Sequence, residues 1–549
     1  MPDNPYLSEA AAHLEAGRLA EASAACAEGL RKSPAEAGLH QMHGNVLQSQ
    51  QLLDEAIAAY DRALAIDDRL PGAWFASGCA QLSKGEYAAA LDRFERTVAL
   101  APEFGPVHHN AGTALFKLGL ADEALGRFRR SLELRDDFRA RTALATLIPG
   151  SPGADHAAVL AARRDWFVEH LAPAPVKALR RGLDAGGRLR IGYLSSFFQA
   201  RHWMKPVWGL VNRHDRSGFE VHLFSDGPES GCVGYRRDER DRFHDISALS
   251  NRDAAARIEA SEIDILVDLN GYSNVPRLAV VAQRPAPIQA AWFNMYATSG
   301  MACFDYLVGD AQVIDPDEER FYSERVVRVP GSYLTFDVGY PVPDVADPPC
   351  RSSGRLTFGC LASQYKITPP VVEAWSRLLE RAPGSKLFLK NAALGSAANR
   401  AHVSDRFARR GIAADRLELE GPAEHFDFLS AYARVDVALD TFPYNGGTTT
   451  MEALWQGVPV LTFRGDRWAS RQSASLLRAG GLDEFVAGGI EDYVDRAVRL
   501  AADPKPLTYL RRGLRARLAA SSVNDTAAFA RSMEALYRGF VEARLNDLK

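Results

Sequence analysis

VDVALDTFPYNGGTTTMEALWQGVPVLTF, residues Val435 to Phe463, contains in one stretch a strand, a loop, a short helix and a second strand. The first apolar run ends at Asp440. The loop carries Tyr444, Asn445, Gly446 and Gly447, three threonines open the helix, and Gly457 stops it before VPVLTF. Short apolar runs joined by a helix read as parallel strands of an α/β sheet. Glycines allow close backbone approach, and the threonines cap the helix while its first amides point outward. The turn is therefore a candidate anion site, weighed against a simple capped turn.

The same alternation extends upstream. LTFGCLA, VVEAWSRLLERA, KLFLKNA, VSDRFARRG and RLELEG alternate strand and helix ahead of Val435. The Pro-rich passage Tyr340 to Gly354 interrupts the series as a linker or lobe crossover. Before it, LRIGYLS (Leu189 to Ser195), FEVHLFS (Phe219 to Ser225), IDILVDLNG (Ile263 to Gly271), PIQAAWF and YLVGD form an earlier series. Two successive doubly wound units predict two lobes with a cleft between strand carboxyl ends. The closing helices, TYLRRGLRARLAA and DTAAFARSMEALYRGFVEARL, are expected to pack across the C-terminal lobe.

The front of the chain repeats. Gly44, Gly78 and Gly112 recur at one interval, as do Ala22, Ala56, Ala90 and Ala124, and Cys26, Tyr60, Phe94 and Phe128. The interval is about 34 residues, the tetratricopeptide period, which predicts an α-solenoid with a groove. Small residues should mark the closest helix approach, with the aromatics filling the gap to the next unit. Such arrays dock proteins, and His108 and His109 read as structural or groove residues. The expected organisation is a repeat array over 1–140, a helical linker over 141–187, an N-terminal lobe over 188–340, a linker over 341–354 and a C-terminal lobe over 355–549.

Composition narrows the function. With 47% hydrophobic and 24% charged residues and a formal charge of −4, the chain is globular and not built to neutralise nucleic acid. Its 6 scattered cysteines, an N-terminus without a signal pattern and no apolar run near the roughly 18 residues of a membrane span point to the cytoplasm. There is no Walker A or G-x-G-x-x-G motif and no zinc spacing, and Asp315-Pro316-Asp317 reads as a solvated turn, so no metal or cofactor is expected.

RIGYLSS, DILVDLNGYS, RPAPIQAAWF, DYLVGD, YSERVVRVP, FGCLASQYKITPP, LDTFPYNGGTTTMEALWQGVPV and ASRQSASLL, behind repeats, resemble the bacterial SPINDLY and O-linked N-acetylglucosamine transferase family. The resemblance covers about residues 188 to 540 and the repeats. It implies a GT-B fold and metal-independent, inverting transfer from a nucleotide sugar to a Ser or Thr hydroxyl of a protein bound by the repeat groove. Gln364 and Lys366 match donor-contacting positions, with the lysine at the diphosphate. Thr448 and Thr449, beside Gly446 and Gly447, match the diphosphate-binding helix. Glu452 matches an acidic ribose-binding position, and Arg471 lies in the ASR block. Pro285, Ala286, Pro287 and Gln289 match a cleft-lining segment whose roles are more structural.

The sugar and acceptor half departs from the family. Its Asp-Phe-x-x-His reads Phe197, Phe198, Gln199, Ala200, Arg201 here, which leaves His202, one residue displaced, as the candidate general base. The family's Gly-His-Thr is Gly271, Tyr272, Ser273, and its Gly-Tyr-Pro-Gly-Thr is Asn294, Met295, Tyr296, Ala297, Thr298. N-acetylglucosamine from a UDP-sugar is the leading expectation. One alternative is a CMP-nonulosonic acid delivered to flagellin, with Arg201 and Lys205 pairing the sugar carboxylate. Another is a non-catalytic repeat adaptor with a degenerate transferase domain.

Overall fold

The computed structural model describes residues 4–179, 187–200 and 203–547. Arg201 and His202 therefore lie outside the described residues.

Four antiparallel helix pairs, from Pro5–Glu15 to Ala121–Leu134, form the repeat array. The glycine and aromatic series explain one another. A Cβ on Gly44 would stand 2.5 Å from the Tyr60 ring, on Gly78 2.6 Å from Phe94, and on Gly112 2.8 Å from Phe128. Each aromatic thus fills the space over the glycine of its own helix pair, and Tyr60 and Phe94 also share core clusters with buried residues of the next unit, Ala80 and Ala111. In the first pair the equivalent residues are Ala10 and Cys26, both fully buried in one cluster. The added methyl is balanced by the smaller partner, as dense packing requires.

Helices Phe138–Leu147 and His156–His170 follow. They are packed into the body: buried Arg163 donates to the Ala145 carbonyl at 3.0 Å and to the Thr298 carbonyl at 2.6 Å.

The N-terminal lobe is built on β1 (Leu189–Ser195), β2 (Phe219–Ser225), β3 (Arg242–Asp245), β4 (Ile265–Asp268), β5 (Ile288–Ala291), β6 (Tyr306–Asp310) and β7 (Arg325–Val329). They form a sheet in the order β3-β2-β1-β4-β5-β6-β7 with every pairing parallel. The C-terminal lobe contains β8 (Thr357–Cys360), β9 (Lys386–Lys390), β10 (Leu417–Glu420), β11 (Val437–Leu439), β12 (Val460–Phe463) and β13 (Val486–Ala487). Their order is β10-β9-β8-β11-β12-β13, again parallel. β1 reads buried at six of its seven positions, as a strand covered on both faces must. β3 is short, polar and partly exposed at the sheet edge, which is why the apolar pattern missed it.

The last helix corrects the sequence reading. Lys505–Ala519 does pack on the C-terminal lobe, with Arg511 donating to the Tyr432 carbonyl at 2.8 Å. Thr526–Asp547 instead crosses back to the N-terminal lobe. There Phe540 stacks on Tyr306 at 3.8 Å, the Tyr537 hydroxyl meets that of Tyr193 at 3.0 Å, and Glu534 bonds His214 at 2.9 Å.

The repeats rest on the C-terminal lobe. Asn399 donates to the Gly85 carbonyl at 2.7 Å and accepts from the Ala88 amide at 2.9 Å. Arg406 bridges the carbonyls of Leu118 and Ile367 at 3.1 and 3.0 Å. Gly119 sits at φ +86°, and a Cβ there would stand 2.4 Å from the Ile367 oxygen, so both conformation and contact require glycine. Among the described residues no helix is long and apolar enough to cross a membrane.

Candidate functional site

A cavity of about 670 Å³ opens where repeats, N-terminal lobe and C-terminal lobe meet. Phe116, Lys117 and Thr146 come from the array side, Trp203, Tyr272, Phe293 and Tyr296 from the N-terminal lobe, and Lys366, Thr448 and Glu452 from the C-terminal lobe.

The C-terminal wall is organised around a buried carboxylate. Asp440 follows β11 and accepts hydrogen bonds from the amides of Thr441 and Gly446, each at 3.0 Å, and from the Thr462 hydroxyl at 2.7 Å. Burial pushes its carboxyl up, and these donors oppose the shift. The Gly446 amide is thereby occupied, which corrects its expected role as a ligand donor. Gly447, Thr448 and Thr449 do line the cavity at the start of helix Thr448–Trp455. The first amides of a helix have no carbonyl one turn back to bind, so an anion there meets ready donors.

Lys366 stands beside this turn. Its ammonium donates to the Asn445 carbonyl at 2.8 Å and lies 4.0 Å over the Tyr444 ring. Desolvation lowers its pKa to about 8, against the pull of Asp440. Gln364 is buried behind the wall, where its side-chain oxygen accepts from Asn391 at 3.3 Å, and it does not line the cavity.

Two further expectations change. Lys205, anticipated to face a sugar carboxylate, is buried and its ammonium is paired with Glu452. Glu452 does line the cavity and also accepts from His425 at 2.9 Å. Arg471, anticipated at the donor, is 4% exposed, makes two 2.7 Å bonds to Glu318 and lies 3.6 Å from Asp315. It ties the lobes together away from the cavity. Asp315 also pairs with Arg464 and so joins the lobes, while Pro316 and Asp317 beside it are exposed to solvent. Gln289, in the segment read as more structural, is buried and donates to the Val281 and Cys303 carbonyls at 2.9 and 2.8 Å.

The N-terminal wall was not legible as a site. Phe293 and Tyr296 line it at φ 74° and 35°, left-handed conformations that side-chain-bearing residues rarely adopt. Tyr296 stacks on Tyr444 at 4.9 Å across the lobes, and Phe116 of the array stacks on Tyr365 at 4.9 Å. Behind the wall Asp268, at the end of β4, accepts from the Gly271 amide at 2.8 Å, and burial raises its pKa to about 7. It holds the turn that delivers Tyr272 and Ser273. The signal that was available is the replacement of the family's Gly, Tyr and Pro by Asn294, Met295 and Tyr296, which marks a changed surface without saying what it touches.

Fold and site together define a class: a tetratricopeptide array mounted on a two-lobed GT-B body, with the cleft shared by all three parts. The model of glycosyl transferase family 41 matches residues 156–345 and 353–533, and a tetratricopeptide-repeat model matches residues 37–69. The chain belongs to glycosyl transferase family 41. It is similar to the probable UDP-N-acetylglucosamine–peptide N-acetylglucosaminyltransferase SPINDLY of Solanum lycopersicum, 32% identical over 356 residues, or 64% of this chain and 38% of that protein. It is also similar to the probable enzyme of the same activity named SEC from Arabidopsis thaliana, 33% identical over 385 residues, or 67% of this chain and 38% of that one. The chain thus spans about 38% of the length of these relatives. A solved lysine-to-methionine mutant of Thermobaculum terrenum O-GlcNAc transferase is 32% identical with a TM-score of 0.78, over 94% of this chain and 99% of that one.

Proposed function

We propose that this protein is a glycosyltransferase that moves a sugar, N-acetylglucosamine first among the candidates, from a UDP-sugar to a Ser or Thr hydroxyl of a protein held by the repeat array. The observation that carries the reading is the convergence of Lys366, Thr448 and Thr449 with Phe116 and Lys117 of the array on one cavity. A cation and helix-start amides suit a diphosphate, and Lys366 would stabilise the charge that grows on the departing nucleotide. An acceptor entering from the repeats would meet the donor in the same space, so proximity supplies much of the rate. The names of the relatives support UDP-N-acetylglucosamine as donor. A carboxylate-bearing sugar draws no support from Lys205, whose charge is already paired. His202 remains the candidate base, and we place the protein in the cytoplasm.

The test is transfer to protein acceptors, read by intact-protein mass spectrometry, with UDP-N-acetylglucosamine, other UDP-sugars, a GDP-sugar and a CMP-nonulosonate. Mass gain with the first donor supports the reading. Gain only with a CMP-nonulosonate replaces the donor, and no gain with any donor favours an adaptor. His202→Ala should lower turnover by about 10²–10⁴-fold with nucleotide binding intact, the range for a general acid–base group.

A further inference from the structure

Glu452 is the acidic residue of the donor wall, and its surroundings are unusual. It is 5% exposed on helix Thr448–Trp455 of the C-terminal lobe, and Lys205, 4% exposed, reaches it from helix Lys205–Val211 of the N-terminal lobe. His425 approaches the same carboxylate oxygen at 2.9 Å, and the lysine and histidine nitrogens are 3.4 Å apart. The Lys205 ammonium also lies 4.4 Å over the ring of Tyr340, in the segment between the lobes. Both donors converge on Oε1. Among the described residues, Oε2 receives no hydrogen bond, and the residue lines the cavity.

An isolated buried carboxylate beside a diphosphate site would be strongly disfavoured, and a partner charge removes most of that cost. The pair has a second consequence, because its members belong to different lobes. We infer that Lys205 is a positioning residue: it neutralises Glu452 and holds its Oε1, so that Oε2 is presented to the ribose hydroxyls of the donor nucleotide only when the two lobes are closed. The inference rests on the nucleotide placement proposed above. It adds that the N-terminal lobe, through one lysine, helps to read the nucleotide bound by the other lobe. The directions of ionisation agree with the geometry. Burial lowers the Lys205 pKa while Glu452 opposes it, and the Glu452 carboxyl stays below its usual value despite burial because His425 and Lys205 stabilise its charge.

The experiment is calorimetric titration of the full chain with UDP, GDP and CDP and with the 2′-deoxy analogue of whichever binds. Wild type should prefer the ribonucleotide by about 10-fold, as for one hydrogen bond to a charged group. Lys205→Met should weaken the ribonucleotide by a similar factor and bring the ribo-to-deoxy ratio close to one. Lys205→Arg should keep most of the preference. Glu452→Gln should also lose it, and the double variant Lys205→Met with Glu452→Gln should be no worse than either alone. A merely structural lysine would lower the melting temperature without changing the ratio, which overturns the inference. Tighter binding in Lys205→Met would overturn it too, by making the pair a latch that the nucleotide must displace. If Lys205→Met does not fold, Lys205→Arg and Glu452→Gln decide: equal ratios in both sink the inference. Wild-type binding without a ribo preference sinks it alone, whereas no binding of any diphosphate removes the proposed function as well.

Discussion

On one wall of the cleft, Lys366, Thr448 and Thr449 stand on turns at strand ends, braced by backbone bonds to Asp440 and Asn445. On the other, Phe293 and Tyr296 are held at positive φ, and aromatic rings from all three parts of the molecule supply the surface. The first wall offers amides and a cation, the general means of holding a diphosphate, and its geometry is local. The second is strained and side-chain-built, and residues in such conformations cost about 1–3 kcal/mol each, which the surrounding packing must supply. A phosphate site is reused across many donors. A sugar and acceptor surface is where one relative differs from the next.

The joint between the walls should show the largest effect. Arg471→Ala leaves Glu318 buried beside His156 without its bidentate partner, and such a loss typically costs about 3–5 kcal/mol of stability. A large fall in melting temperature is expected, with nucleotide affinity unchanged in the folded fraction. A selective loss of nucleotide binding would return Arg471 to the donor site.

Lys366 probes the first wall. Lys366→Ala should reduce turnover by about 10²–10³-fold, the range for removing one preorganised group that stabilises developing charge, with little change in melting temperature. In wild type, nucleotide diphosphate binding should weaken as pH rises above about 8, where the unliganded lysine loses its proton, and the variant should lack that slope. The stability effect has the opposite sign. Because the folded pKa lies below the unfolded one, the unfolded chain binds more protons between about 8 and 10.5, so this residue's contribution to stability rises with pH across that window. Urea titrations at several pH values check it. A flat binding profile would place the diphosphate elsewhere.

The smallest effect is expected on the second wall. Tyr296→Gly relieves a left-handed strain but removes the stack on Tyr444, and about 0.5–1.5 kcal/mol for the ring pair roughly offsets the backbone gain. Stability and nucleotide affinity should therefore barely move. Transfer should fall about tenfold, because the reactants are held less well. Lost nucleotide affinity would mean that the two walls do not divide the work in this way.

The sequence alone determined the repeat period, the alternation of strand and helix and the turn from Asp440 to Thr449, because each is written in neighbouring residues. Even the glycine–aromatic pairs of the array lie within one unit's own sequence, although only the packing of the rings toward the next unit was read there. The bonds of Lys205 to Glu452 and Arg471 to Glu318, and the crossing of the last helix to the N-terminal lobe, join residues far apart in the chain. A local pattern shows that a charge is present but not which opposite charge the fold brings to it. Only the tertiary structure could decide that, because a buried ion is tolerated only where the assembled lobes supply its partner.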